Sequence, residues 1–244
     1  MKPAPSSWRQ GIADALPITV SMVLFGAIFG MLALQTGLSA WESTAMSMIV
    51  YAGSAQFTAL SMLAEQASLW AIVLATFLLN SRHFLMGLSL SPHYQRFSPL
   101  SVHILAFFLT DEQYAITLNR FRDHESDISY ITAVSLSLYI GWCGGTLLGT
   151  VAGRWIPDPS ALGLGFSFTA MFLALAYYQL NTSLRIATFV LCGALAVVLA
   201  LYLPSGLHLL AAGLVAFGIG YALPPQESPD RETGPQSSRE VESA

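Results

Sequence analysis

The chain has 244 residues, of which 54% are hydrophobic and only 10% charged, with a formal net charge of −4. A soluble domain carries roughly 25% charged residues, so this composition cannot coat a water-soluble globule and makes lipid the expected solvent. The acidity sits mainly in the tail, where Glu227, Asp230, Glu232, Glu240 and Glu242 outweigh Arg231 and Arg239; the remainder is nearly neutral, and nucleic acid is not an expected partner.

A spanning helix needs about 20 consecutive apolar residues. Eight windows meet that criterion, near 14–35, 43–63, 68–91, 100–119, 129–153, 161–179, 184–203 and 206–223. The expected fold is all-α, a polytopic membrane helix bundle of seven to eight spans, with room for interrupted helices and a weak internal repeat. Residues 1–13 form a short N-terminal segment, 14–223 the transmembrane transport domain, and 224–244 an acidic, Pro/Ser-rich tail that cannot bury a core and is expected to be disordered. Pro3, Pro5 and Trp8 replace the basic start of a cleavable signal, so the first segment is expected to remain as a span. Connections are short and carry turn residues such as Thr36-Gly37, Ser98-Pro99 and Pro204-Ser205-Gly206.

Lys and Arg set the orientation. With all eight segments spanning and the N-terminus inside, the inner side holds Lys2, Arg9, Arg120, Arg122, Arg185, Arg231 and Arg239, against Arg96 and Arg154 outside. Both termini are therefore expected in the cytoplasm of a multi-pass cell-membrane protein.

The first segment contains Pro17, Gly26 and Gly30. The fifth carries Gly141, Gly145, Gly149 and Gly153, which share one helix face at spacing four. Such a face packs tightly against another helix or slides as a gate. Gly26 and Gly30 before Trp41 resemble Gly145 and Gly149 before Trp155, the basis of the suggested repeat.

In the second segment, Ser43, Ser47, Ser54, Thr58, Ser61 and Glu65 line up on one face of a continuous helix, and Gln56 points the other way. This stripe lines a polar path or bonds to neighbouring helices and its own carbonyls. Gly53 beside Gln56 favours a local break. The third segment has Asn80, Ser81, Arg82 and His83 at its centre, where an Arg costs roughly 2.5–3.5 kcal/mol on insertion scales. In a regular helix Asn80 and His83 share a face and Arg82 points away, so unwinding near Asn80 or a water-filled cavity is expected. A shallow helix with Arg82 reaching an interface is the alternative. In the fourth segment His103, Thr110, Tyr114 and Thr117 share a face with Asp111 at its edge; Glu112 lies about 100° further round. These acids carry function, or a salt bridge to Arg82 that holds the bundle together.

Cys143 and Cys192 fall in apolar segments, and neither a Cys/His metal spacing nor a GxxxxGK[ST] loop is present. No metal, cofactor or ATP hydrolysis is expected. Ser81 with His83, or Asp111 with Glu112, could suggest an intramembrane hydrolase. Near neighbours on one helix point apart, so neither pair forms a nucleophile and base, and the chain is not expected to be an enzyme.

Four motifs in order, GIADALPITVSMVLFGAIFG at 11–30, AGSAQF at 52–57, LNSRHFLMGLSLSP at 79–92 and FFLTDEQYA at 107–115, resemble the AzlC family of branched-chain amino-acid permeases. The resemblance runs from about residue 11 to 223. It implies export of branched-chain and related apolar amino acids with a small membrane partner of the AzlD family. Pro17, Gly26 and Gly30 match the first motif; Ala52, Gly53 and Gln56 the second; Asn80, Arg82 and His83 the third; Asp111 and Glu112 the fourth. The residues fit a zwitterion, with Arg82 or an opened helix N-terminus for the carboxylate and Asp111, Glu112 or free carbonyls near Gly53 for the ammonium. Tyr114 joins this set from the polar face of the fourth segment. Other readings stay open: a proton- or ion-linked carrier of another solute, with His103 and Asp111 as proton groups, and a scaffold whose partner makes the pore.

Overall fold

The computed structural model describes residues 7–123, 127–155, 166, 173, 177, 180, 182–202 and 207–222. Among the described residues the helices with defined bounds are α1 Ser7–Gln35, α2 Ala40–Ile49, α3 Gly53–Ala64, α4 Leu69–Asn80, α5 Arg82–Tyr94, α6 Pro99–Phe107, α7 Asp111–Asp123, α8 Ile128–Gly153, α9 Ser183–Ala200 and α10 Leu207–Ala222. No strand occurs among the described residues. Four helices there are long and apolar enough to cross a membrane: Ser7–Gln35, Leu69–Tyr94, Ile128–Gly153 and Ser183–Ala200. Of the expected segment at 161–179 only residues 166, 173 and 177 are described, and the tail from 224 lies outside the described residues.

Helix starts next to loops are capped by short polar side chains, as unpaired N–H groups require. Ser39 opens α2 with a capping box to Glu42. Ser68 caps α4, Ser98 caps α6 ahead of Pro99, Asp127 caps α8 and Thr182 caps α9. The start of α3 differs, because its N-cap residue is Ala52 and no side chain caps it.

The core is the pair α1 and α8, which run parallel. Gly11 abuts Tyr130 and Ala133, Gly141 abuts Thr19, and Gly153 abuts Met31 and Leu34, so both chains advance together. Glycines from both helices allow this approach. A Cβ at Gly26 would lie 2.5 Å from the Trp142 carbonyl oxygen, and one at Gly30 would collide with that of Thr146. Reciprocally, a Cβ at Gly145 would collide with the Val23 carbonyl and one at Gly149 with the Ala27 carbonyl. In all four cases the obstructing carbonyl belongs to the residue three before the facing glycine. The contact is thus two-fold symmetric about an axis along the helix pair, with Gly26 equivalent to Gly145 and Gly30 to Gly149. Pro17 lies on the exposed side of α1, and the helix continues through it.

Two apolar runs that read as continuous in sequence are broken. Between α2 and α3, Tyr51 takes a left-handed φ of 44°, a conformation uncommon outside glycine. Between α6 and α7, Phe107 and Phe108 turn the chain toward Thr110. The breaks stack on one another: the Tyr51 ring lies 6.3 Å from Phe108, 6.4 Å from Phe107 and 4.9 Å from Tyr139 of α8. The interruption expected near Asn80 is present but confined to one residue, Ser81, between α4 and α5. Ser81 keeps helical angles (φ −56°, ψ −24°), and its N–H shifts to the Leu78 carbonyl. A single tight turn joins α4 to α5, because the breaks in α2–α3 and α6–α7 already supply the polar surroundings that Arg82 needs.

Candidate substrate site between the helix breaks

Arg82 opens α5 and reaches across to both broken runs. Its Nη2 lies 2.7 Å from Asp111 Oδ2 and donates to Ser54 Oγ at 2.8 Å. Ser54 is in the first turn of α3 and Asp111 in the first turn of α7. The starts of α3, α5 and α7 therefore converge on one guanidinium. Helix N-termini carry partial positive charge, so together with Arg82 they form a setting for an anion, now filled by the chain's own Asp111. The pair remains partly open, with 32% of the Arg82 side chain and 39% of Asp111 accessible.

Other polar atoms here are not satisfied internally. Arg82 Nε and Asn80 Oδ1 are buried with no hydrogen-bond partner. One is a donor and the other an acceptor, two residues apart on the same turn. Thr110 caps α7 through the Gln113 N–H at 3.3 Å. His83 Nδ1 is 3.0 Å from the Asn80 carbonyl oxygen, and Tyr114 Oη is 3.0 Å from Ser89 Oγ, to one side of the centre. His103 is exposed on α6, where its Nδ1 is 2.6 Å from the Pro99 carbonyl oxygen. It lines a mostly apolar cleft of about 410 Å³ between α5 and α6, with Leu90, Val102 and Leu105. Among the described residues no group of His, Cys, Asp and Glu could hold a metal ion.

Gln56 stands behind the site in a closed ring of hydrogen bonds. Trp142 Nε1–H donates to Gln56 Oε1 at 3.1 Å, and Gln56 Nε2 donates to Ser47 Oγ at 3.0 Å. Thr146 gives its only hydroxyl proton to the Trp142 carbonyl at 3.0 Å. The 2.8 Å contact between Ser47 and Thr146 must then run from Ser47 to Thr146. Since an indole N–H can only donate, the amide orientation of Gln56 follows. Gln56, Ser47 and Thr146 are fully buried. On a continuous helix Gln56 would point away from Ser47; the break at Tyr51 rotates α3 and lets them meet. Trp142 also covers Gly53, where a Cβ would lie 2.9 Å from the indole edge.

The residues singled out from sequence thus divide. Arg82 and Asp111 meet at the centre, with Asn80 two residues before Arg82 in the chain and Gly53 at the start of α3. Glu112 is half-buried and leaves α7 about 100° round from Asp111. Gln56 is part of the supporting wall, and Tyr114 and His83 flank it. Ser54 belonged to the hydroxyl stripe, and its pairing with Arg82 needed the break to be known. Trp142, Tyr139 and Phe108 carried no polar signal.

A bundle of apolar helices with a partly open ion pair at breaks in the runs is the architecture of a membrane protein, and the comparisons with known proteins place it in a transport family. The chain belongs to the AzlC family, whose model, described as AzlC protein, matches residues 17–156. It is 34% identical over 206 residues to the inner membrane protein YgaZ of Escherichia coli (strain K12), covering 80% of this chain and 83% of that one. An uncharacterized membrane protein of Helicobacter pylori (strain J99 / ATCC 700824) is 32% identical over 76% of this chain and 86% of its own length. The branched-chain amino acid transport protein AzlC of Bacillus subtilis (strain 168) is 23% identical over 71% of this chain and 68% of its own. No solved structure matches.

Proposed function

We propose that this chain is a secondary transporter that exports branched-chain or related apolar amino acids, together with a small membrane partner subunit of the AzlD family. The observation that carries this reading is the Arg82–Asp111 pair at 2.7 Å between two broken runs. A zwitterion offers each partner a replacement: its carboxylate for Arg82 and its ammonium for Asp111. Substrate then competes with the ion pair, and its differential affinity for paired and opened states couples binding to movement of α7 against α5. The unpaired Arg82 Nε and Asn80 Oδ1 add a donor and an acceptor beside it. Gly53 and the uncapped start of α3 leave backbone N–H groups for the carboxylate. Apolar walls from α1, α2 and α3 suit an aliphatic side chain.

The same geometry supports more than four crossings. Arg82 lies midway along Leu69–Tyr94, so Ser54 and Asp111 sit at mid-depth. At 1.5 Å per residue, α2 and α3 add roughly 15 and 18 Å on either side of their break, and α6 and α7 about 14 and 20 Å. Each broken run can therefore cross a hydrocarbon core of about 30 Å. Parity agrees, because α1 and α8 run parallel and an odd number of crossings between them returns the chain to the starting side. With the segment at 161–179, α9 and α10, this supports two cytoplasmic termini, and eight spans where both broken runs cross.

The test is efflux of radiolabelled valine and leucine from loaded vesicles carrying the full chain, with and without a co-expressed small partner. Efflux that appears only with the partner is the expected result. Transport by the chain alone would remove the partner requirement, and no amino-acid flux under either condition would favour a carrier of another solute.

A further inference from the structure

By length each broken run could cross the bilayer; by its contacts each turns back. α5 and α7 lie side by side and point the same way. Arg82 meets Asp111 at 2.7 Å, Ser89 Oγ meets Tyr114 Oη at 3.0 Å, and His93 stacks on Phe121 with ring centroids 4.5 Å apart. A straight α6–α7 would then begin beyond the level of Arg82, roughly 33 Å along the axis from the end of α5. Residues 95–98 alone connect Tyr94 to Pro99, a reach of about 18 Å at full extension. α6 therefore starts where α5 and α7 finish, and it returns beside α5, with which it shares the cleft. α6–α7 is a hairpin whose tip, at Phe107 and Phe108, reaches the depth of Arg82.

The end where α7 finishes also carries the starts of α1 and α8, since Arg120 donates to Gln10 at 3.1 Å and lies over the Tyr130 ring. Ser81 keeps helical angles, so α4–α5 is one span that begins at the opposite end, where α1 finishes. α2–α3 thus leaves that end and comes back to it. Its contacts agree: Gln56 Nε2 reaches back to Ser47 Oγ at 3.0 Å, and the Phe57 ring lies 5.7 Å from Phe29, late in α1. Between the parallel α1 and α8 only α4–α5 crosses, and parity is kept. Arg9, Arg96 and Arg120 then share one face, against Glu42, Glu65 and Arg154 at the other, which makes the first face cytoplasmic. Straight crossings would put Arg96 outside.

We propose that α2–α3 and α6–α7 are re-entrant hairpins that enter from opposite faces and serve as the outer and cytoplasmic gates of the Arg82 site. The hairpins rest on the contacts; their role as gates rests on the transporter reading above. Irregular backbone is tolerated at depth where protein encloses it, and here the tips enclose each other, Tyr51 against Phe107 and Phe108. Arg82 holds one residue from the returning arm of each hairpin, Ser54 and Asp111. The outer hairpin is tied down, because Gln56 links its two arms and bonds to Trp142 of α8. The cytoplasmic hairpin has room to move, because the cleft of about 410 Å³ separates α6 from α5. Release of Asp111 therefore opens the cytoplasmic gate first and admits substrate from inside, the order that export requires. With 161–179, α9 and α10, the chain has six spans.

The test is the sidedness of thiol labelling in cells that co-express the small partner, with the full chain carrying Cys143→Ser and Cys192→Ser. Reporter cysteines go at exposed positions. A membrane-impermeant maleimide should label Glu65→Cys in intact cells and Gln95→Cys only after permeabilisation. Gln35→Cys and Asn119→Cys are the outer and inner references, since hairpins and straight crossings agree on both. Straight crossings reverse the sides of Glu65→Cys and Gln95→Cys; that result, or one side for both, overturns the hairpins. The gate is read from Asn80→Cys. Adding Asp111→Asn should speed its reaction with a small charged thiol reagent severalfold from the cytoplasmic face of inside-out vesicles, and not from the outer face. Faster reaction from the outer face, or no gain from either, overturns the gate; Asp111→Ser serves if Asp111→Asn does not fold. Neither readout uses an amino acid, so a failure here is distinct from a failure of valine and leucine efflux, which would reject the transporter reading.

Discussion

Arg82 Nη2 holds Asp111 Oδ2 at 2.7 Å and Ser54 Oγ at 2.8 Å, so one nitrogen ties α5 to the starts of both α7 and α3. Both hydrogens of that nitrogen are engaged, and the Nε–H is left over. The guanidinium is thus a junction whose opening releases two half-helices together.

The first prediction concerns that junction. Asp111→Asn leaves Arg82 without a counter-charge. Exposed pairs contribute about 0–1 kcal/mol, and breaking a buried pair costs about 3–5. With a third of this pair open, a loss of roughly 1–2 kcal/mol is expected, alongside near-complete loss of amino-acid flux. A double-mutant cycle with Arg82→Gln, read by thermal unfolding in detergent, should show coupling between the two sites. Additive effects would mean that the contact contributes nothing.

The glycine contacts give a sharper contrast between adjacent positions. Gly145 and Gly149 have no space for a Cβ, whereas Gly144 has nothing within 4 Å. Gly145→Ala and Gly149→Ala are expected to destabilise by roughly 1–3 kcal/mol through overpacking. Gly144→Ala, in the same helix, should be neutral or slightly stabilising by helix propensity. Equal melting temperatures for all three would argue against the parallel α1–α8 contact.

The ring behind the site should behave as structure. Gln56→Leu leaves the Trp142 N–H unpaired in a buried setting and removes the donor to Ser47, which keeps its bond to Thr146, at about 1–3 kcal/mol for the group left unsatisfied. The expected outcome is a lower unfolding midpoint with an unchanged apparent affinity for substrate in the protein that remains folded. A change in affinity without loss of stability would put Gln56 on the substrate instead.

A separate cluster fixes one end of α1 to α7 and α8. Tyr130 Oη donates to Asp14 Oδ2 at 2.8 Å, and Arg120 lies over the Tyr130 ring and donates to Gln10 at 3.1 Å. Tyr130→Phe should cost about 1–2 kcal/mol, as a hydrogen bond to a charged acceptor does. Faster amide exchange in the first turns of α1 and α8 would register it, and unaltered exchange there would show that the cluster holds nothing.

Much of this arrangement was legible from the residues. The shortage of charge identified a membrane chain, and the expense of Arg82 and Asp111 at depth led to their pairing. Gly53 pointed to the first break. The second was hidden, because Phe107 to Leu109 continues an apolar run and sequence gives no sign that aromatic stacking on Tyr51 will bend it. Gln56 was misplaced for the same reason, since its direction depends on the rotation at Tyr51. Asn80 suggested unwinding that the structure confines to one tight turn. The glycine spacing showed that some helix would approach closely, but a partner in parallel orientation can be recognised only once reciprocal contacts are seen.

The central claim is that a zwitterion displaces the Arg82–Asp111 pair with both of its charges. Binding of three ligands to the full chain in detergent tests it most directly: valine, isovalerate, which lacks the ammonium, and isobutylamine, which lacks the carboxylate. Valine should bind and protect the protein against unfolding, while neither analogue competes with it at equal concentration. Equal competition by either analogue would contradict the account, because one of the two charges would then have no part in recognition.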